Sequence, residues 1–155
     1  MARYKSSIES AAAVAAATTF ANLVAGASGN LKLRRLVIGV RAGAGVPTSQ
    51  QLTVAIRRAT ARGTATTTVA PERMDPRSVA AVSPGVDTTW STNPTLAATT
   101  IFQTSFNSQS GVDLPWESVE ELIADQGNAN GLALVNVGNA LPASHLYTAT
   151  FEFEE

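Results

Sequence analysis

His145-Leu-Tyr-Thr-Ala-Thr-Phe-Glu-Phe-Glu-Glu155 is the stretch that decides the fold, because apolar and polar residues alternate along it. Side chains of an extended chain point alternately to opposite faces, so one face is apolar and the other is polar. The apolar face carries Tyr147, Ala149, Phe151 and Phe153, and the polar face carries Thr148, Thr150, Glu152 and Glu154. This pattern predicts a β-strand with one buried face.

The rest of the C-terminal region, Val119–Glu155, supports the same fold. Gly131-Leu-Ala-Leu-Val-Asn-Val137 is apolar on both faces, as expected of a central strand that is covered on both sides. The turn-rich segment Gly138–Ser144 joins it to the final strand. We expect Leu132, Leu134, Tyr147 and Phe151 in the core.

Further strand patterns precede this region. Leu31–Arg41 changes phase near Arg34-Arg35, which predicts either a β-bulge or a switch of the strand between sheets. The other predicted strands are the alternating segment Leu52–Ile56, the exposed or edge segment Thr60–Thr68, Leu96–Phe106 and the short run Val119–Ala124. Ala42–Ser49 is predicted to be a Gly/Pro loop, and Pro71–Asn93 a candidate functional loop. About eight short strands without a long amphipathic helix indicate an all-β, antiparallel β-sandwich, jelly-roll-like in type.

The Ala-rich N-terminus leaves two conformations open. Glu9–Ala25 favours either a capped helix or an extended segment that becomes a strand near Thr18–Val24. We expect one domain, with an arm and first strand at 1–25 and the sandwich at 26–155. The arm has few large apolar groups, so Met1 to about Ser10 is expected to be ordered mainly by a neighbouring chain.

Composition narrows the classes of function. Of 155 residues, 45% are hydrophobic but only 15% are charged, and the net charge is -1. An average domain has about 25% charged residues, so small neutral residues replace much of the usual charge. We expect no nucleic-acid partner, since there is no basic excess, and no membrane partner, since no apolar stretch is long enough to span one. The absence of cysteine excludes disulfides and thiolate metal sites.

No residue pattern argues for catalysis, a cofactor or a metal. His145 is the single histidine and has no evident nucleophile beside it. The acids between Asp113 and Asp125 are interpreted as solvated edges rather than a glycosidase pair. Asp125–Gly131 has one carboxylate, which favours a turn over a calcium loop.

Candidate partner-binding residues lie in three places. Arg3, Tyr4 and Ile8 belong to the expected arm. Arg57 and Arg58 form a basic spot that is expected to pair with acids of a neighbouring chain. Trp90 and Trp116 stand beside turns, where each either covers the core or contacts a partner or a sugar.

Several stretches together resemble small virion proteins of tailed bacteriophages, of the head decoration (cement) type. They are Leu31-Lys-Leu-Arg-Arg-Leu-Val-Ile-Gly-Val40, Leu52-Thr-Val-Ala-Ile-Arg-Arg-Ala-Thr60, Leu114-Pro-Trp116, Gly131-Leu-Ala-Leu134 and Phe151-Glu-Phe-Glu-Glu155. The resemblance implies a non-enzymatic structural protein, made in the host cytoplasm and located on the capsid surface. Its implied partners are the major capsid protein and copies of itself, as a trimer. The alternative is a carbohydrate-binding or adhesin-like jelly-roll module, with a host-surface glycan as its ligand.

Overall fold

The chain folds as an all-β protein in a computed structural model that describes residues 1–43, 48–117 and 120–155. Its strands, in chain order, are β1 Arg3–Glu9, β2 Thr18–Val24, β3 Leu31–Arg41, β4 Gln51–Ala61, β5 Thr64–Val69, β6 Glu72–Arg73, β7 Gly85–Thr92, β8 Thr95–Asn107, β9 Val112–Pro115, β10 Leu122–Ala124, β11 Gly131–Asn136 and β12 Leu146–Glu154.

The strands form two antiparallel sheets. Sheet A has the order β10-β3-β12-β1-β6, with β9 also pairing with β3, and sheet B has the order β5-β7-β2-β11-β4-β8. The predicted all-β class with two antiparallel sheets is therefore confirmed. The predicted number of about eight strands is wrong, since the described residues form twelve. The additional strands include the short β9, and β6 and β7, which both lie inside the predicted loop Pro71–Asn93. β10 lies within the predicted run Val119–Ala124.

Eight of the eleven connections between consecutive described strands cross between the sheets. Three of the strand pairs joined in this way form the centre of both sheets. They are β1 with β2, β3 with β4, and β11 with β12. In sheet A, β12 lies between β3 and β1, and in sheet B, β11 lies between β2 and β4. The two buried C-terminal strands are therefore the centre on which both sheets are assembled.

The main core lies between the inner faces of the sheets. Phe20 of sheet B stacks on Tyr147 of sheet A, with ring centroids 4.3 Å apart. Leu132, Leu134, Tyr147 and Phe151 are all fully buried, which confirms the predicted core. The Tyr147 hydroxyl donates to the Oδ1 of buried Asn136 at 3.3 Å, whereas the Oγ of buried Ser6 has no hydrogen-bond partner among the described residues.

The N-terminal segment differs from the prediction. β1 pairs with β12 from Arg3↔Glu154 to Glu9↔Thr148, and Tyr4 and Ile8 lie in the core. The expectation that Met1 to Ser10 is ordered mainly by a neighbouring chain is therefore wrong. Tyr4, Ser6 and Ile8 alternate with exposed residues along β1 and point inward. These three buried side chains were enough to dock the strand on its own sheet.

Other predicted elements agree with the structure. Thr18–Val24 is a strand, as the extended alternative required. The predicted bulge occurs at Arg34, because Glu152 pairs with Arg35 while Phe153 pairs with Leu33. Part of the predicted loop Ala42–Ser49, and Val119 at the start of the predicted run Val119–Ala124, lie outside the described residues.

Sheet B curls so that its two outermost strand pairs, β4–β8 and β5–β7, lie end to end. The pairing of β4 with β8 continues into that of β5 with β7, from Gln51↔Asn107 to Val69↔Val86. β4 ends at Ala61 and β5 begins at Thr64, so the Cα atoms of these two residues are at most about 11 Å apart. In a flat sheet the positions of β4 and β5 would be separated by about 19 Å. One long β-ribbon therefore connects the two ends of the sheet, while β5 and β8 each keep one edge without a strand partner among the described residues.

A second buried layer lies on the outward face of sheet B as a result. Its apolar members are Val24, Ala55, Ala59, Ala133 and Val135. Asp87 is fully buried there, and Arg62, which follows β4, donates to its two carboxylate oxygens at 2.7 and 2.8 Å. The Thr68 hydroxyl also donates to Asp87, at 2.6 Å. The Arg62–Asp87 pair thus connects the bend of the ribbon to the sheet beneath it.

Candidate interaction surface

Two of the predicted partner-binding residues are not accessible to a partner. Tyr4 is 1% exposed and its ring packs against Phe153, while Ile8 is 6% exposed. The prediction that these side chains contact a partner is wrong, because both point into the core of their own sheet. Arg3 alone of the three faces outward, and its Nε donates to Glu154 at 2.7 Å.

Arg3 belongs to a network of charges on the outer face of sheet A. Glu154 also accepts from Arg34 at 2.6 Å, and Arg34 bonds to Glu121 at 2.7 Å. Lys32 completes the network by bonding to Glu121 at 2.9 Å. These cations already have carboxylate partners, so the network holds strands together rather than presenting free charge.

Arg57 and Arg58 do not form a single basic spot. The regular pairing of β4 with β11 directs them to opposite faces of sheet B. Arg57 donates to the Thr100 hydroxyl at 3.2 Å, and Arg58 donates to the Ile123 carbonyl at 3.3 Å. Neither forms an ion pair with another described residue, so both remain available for the predicted intermolecular pairing.

Trp116 does not provide a flat platform for a sugar, and Trp90 is partly buried. Trp116 is 9% exposed and contacts Phe102 edge to face, with centroids 5.5 Å apart, so it covers the core where the two sheets meet. Trp90 is partly buried, and its indole Nε1 is enclosed without a hydrogen-bond partner among the described residues. Sugar-binding aromatics need an exposed ring face, which Trp116 lacks.

His145 and the turn Asp125–Gly131, which were considered for catalysis and calcium binding, make structural contacts. His145 is 5% exposed, and its Nε2 lies 3.3 Å from the Thr48 amide nitrogen, which donates to it. In the predicted turn Asp125–Gly131, Gly127 has a φ of 115° and its carbonyl accepts from the Asn130 amide at 2.9 Å, which confirms a turn. The described residues contain no group of three or more side chains suited to bind a metal. No helix among them could span a membrane.

An open groove of about 750 Å³ lies on the outer face of sheet A. The Ser7 and Thr150 hydroxyls on its floor bond to each other at 3.0 Å. At one end Arg41 bonds to Glu9, and the turn Ser108–Gly111 lines one side. The polar groups on the floor and at that end are thus paired with one another, and the groove lacks a free nucleophile, base or aromatic ring among its lining residues.

An exposed apolar patch is the feature that sequence reasoning missed. Met74, Val79 and Val82 lie on the loop 74–84 with 49%, 75% and 47% of their surface exposed, and we call them the apolar patch. The candidate loop Pro71–Asn93 contained these residues, but the sequence did not show whether they were buried. Exposed apolar side chains gathered on one loop are typical of a protein contact surface.

Hydrogen bonds fix the loop that carries the apolar patch. The Tyr4 hydroxyl donates to the Val79 carbonyl at 3.0 Å, and the Met74 amide donates to the Arg3 carbonyl at 3.0 Å. The amides of Val82 and Ser83 donate to the Glu155 carboxylate at 2.8 and 2.7 Å. The patch is therefore pre-organised on both terminal strands, which lowers the entropic cost of binding.

The fold defines a two-sheet antiparallel β-protein, and three of its exposed large apolar side chains lie on the loop 74–84. No protein-family model, no curated protein and no solved structure matches the chain.

Proposed function

We propose that the chain is a non-enzymatic structural protein of a tailed-phage particle, which binds and stabilises the capsid surface as a homo-oligomer. The pre-organised apolar patch of Met74, Val79 and Val82 is the observation that carries this proposal. It would lie against the major capsid protein, because an apolar surface on an otherwise weakly charged protein gains most from a large protein partner.

Three further observations support the proposal. The virion-protein resemblance covers β3, β4, β11 and the end of β12. The crossing of consecutive strands between the sheets suits a jelly-roll-like architecture. The acidic and basic groups of sheet A are largely paired with each other, which leaves shape and apolar contact to determine binding. The trimeric copy number rests on the resemblance alone.

Attachment to particles tests the proposal. Val79→Asp combined with Val82→Asp should abolish co-purification with phage particles without lowering the melting temperature, since both side chains are exposed. Ala140→Asp is a matched control, because this exposed residue precedes β12 and lies at the opposite end of sheet A from Glu155. Particles that lack the wild-type protein, by mass spectrometry and electron microscopy, would refute the proposal. Equal loss of attachment in the control would refute the role of the patch.

A further inference from the structure

The free edge of β8 is long and unprotected. β8 has thirteen residues, and among the described residues it pairs only with β4. A strand at the edge of a sheet presents unpaired N–H and C=O groups that can pair with another strand. Proteins usually protect such edges with charged residues, proline, bulges or short strands. β8 contains neither charged residues nor proline.

The other sheet edges carry protection that the second half of β8 lacks, although the first half of β8 has three register shifts of its own, between Thr95 and Phe102. β6 consists of Glu72 and Arg73 alone, and β9 has four residues that include Asp113 and Pro115. β10 has three residues, and β5 has three register shifts over its pairing with β7. In contrast, β8 pairs with β4 without a shift from Phe102 to Asn107. This segment is therefore a regular, uncharged template for a further strand.

We propose that the edge Phe102–Asn107 pairs with the same edge of a second copy of this chain, antiparallel about a two-fold axis at Thr104. The register follows from the residues. Phe102 lies opposite Phe106 of the second copy, Gln103 opposite Ser105, and Thr104 opposite itself. Aromatic pairs and hydroxyl pairs are favourable across antiparallel strands, and no like charges meet.

The two-fold contact joins sheet B of the two copies into one continuous sheet. Phe102, which is only partly buried in the single chain, gains a second aromatic neighbour across the new pair. The contact is isologous, so it closes after two copies. It goes beyond the proposed function and does not depend on it, because it requires only two copies in solution. It predicts a dimer in place of the trimer that the resemblance implied.

Charge reversal tests the pairing. Gln103 and Ser105 are exposed, so Gln103→Glu/Ser105→Glu and Gln103→Lys/Ser105→Lys should both fold, as checked by circular dichroism. Each double variant places like charges opposite one another twice, so sedimentation should show half the mass of the wild-type dimer. An equimolar mixture of the two should restore the dimer. The control Thr64→Glu/Thr66→Glu places the same charges on the exposed surface of β5 and should remain dimeric.

A cross-link tests the register. The chain has no cysteine, so Thr104→Cys introduces a single thiol at the two-fold axis. Opposite residues of an antiparallel pair have Cα atoms about 4.5–5.5 Å apart, within the range of a disulfide. Thr104→Cys should form a covalent dimer under oxidation, whereas Thr99→Cys should not. A wild-type monomer or trimer in solution, a dimeric acidic variant, or equal cross-linking at both positions would overturn the proposal.

Discussion

Phe151 shows how one side chain unites the two sheets. It lies on the inward face of β12 and is fully buried, while its neighbour Thr150 faces outward and bonds to Ser7. Phe151→Ala should lower the free energy of unfolding by about 3–5 kcal/mol, because it leaves a cavity in the core. Thr150→Ala, the control, should cost about 1 kcal/mol. Urea denaturation measures both, and a loss below about 1 kcal/mol for Phe151→Ala would contradict the placement of this ring.

Glu154 makes stability depend on pH. Burial raises the pKa of its carboxyl, but hydrogen bonds from Arg34 and Arg3 outweigh burial and leave the pKa below its ordinary value of 4.5. A carboxyl with a lowered folded pKa stabilises the protein fully above its ordinary pKa. This stabilisation is lost as the pH falls through the lower folded value.

We therefore expect the stability difference between the wild type and Glu154→Gln to be large at about pH 6 and to shrink as the pH falls below the ordinary pKa of the carboxyl. Denaturation midpoints measured across this range provide the check. Glu120→Gln is the control, because Glu120 is exposed and forms no ion pair with another described residue. A difference that grows with acidity would disprove the sign of the shift.

Among the elements, β1 is integral to sheet A. It supplies the Tyr4 and Ile8 side chains to the core and covers the free edge of β12. Deletion of residues 2–10 should therefore lower the melting temperature of the isolated protein by well over 10 °C, or prevent folding, since each buried side chain contributes several kcal/mol. Calorimetry checks this. Replacing residues 75–78 of the exposed loop by a short Gly linker is the milder control, and an unchanged melting temperature for the deletion would contradict the pairing of β1.

The bend of the ribbon depends on Gly63. Its φ is 73°, and a Cβ there would lie 2.2 Å from the Thr92 carbonyl oxygen. Gly29 also has a positive φ, of 86°, but a Cβ there would have no neighbour within 4 Å. Gly29→Ala should cost about 1–2 kcal/mol from backbone conformation alone. Gly63→Ala should cost about 1–3 kcal/mol more, because two backbone segments must separate. Equal losses in thermal denaturation would argue against the close approach.

At the scale of the whole molecule, the two buried layers share sheet B. Leu132 and Leu134 point into the main core from β11, while Ala133 between them points into the second layer under the ribbon. Unfolding either layer exposes the other, so we expect one cooperative transition. Fluorescence of Trp90, on the ribbon, and Trp116, at the meeting of the sheets, should change at the same temperature as circular dichroism. Two separate midpoints would show that the ribbon unfolds independently.

The sequence by itself determined the strands in which apolar residues follow a regular pattern. Alternation from Tyr147 to Phe153 defined β12, continuous apolarity defined β11, and the phase change near Arg34 located the bulge. These signals are local, because a strand that lies on a core must direct every second side chain toward it. The apolar patch and the β8 edge are different, since exposure of Val79 or of the β8 backbone depends on what packs beside them.

The tertiary structure alone decided which remote segments meet. β7 was hidden in a loop rich in turn residues, and β1 looked like an arm, because each is stabilised by strands far away in sequence. The burial of Asp87 could not be predicted for the same reason: a carboxylate is normally exposed unless an ion partner such as Arg62 is brought to it. Strand pairing is specified by long-range packing and by the curl of the whole sheet, which no window of neighbouring residues contains.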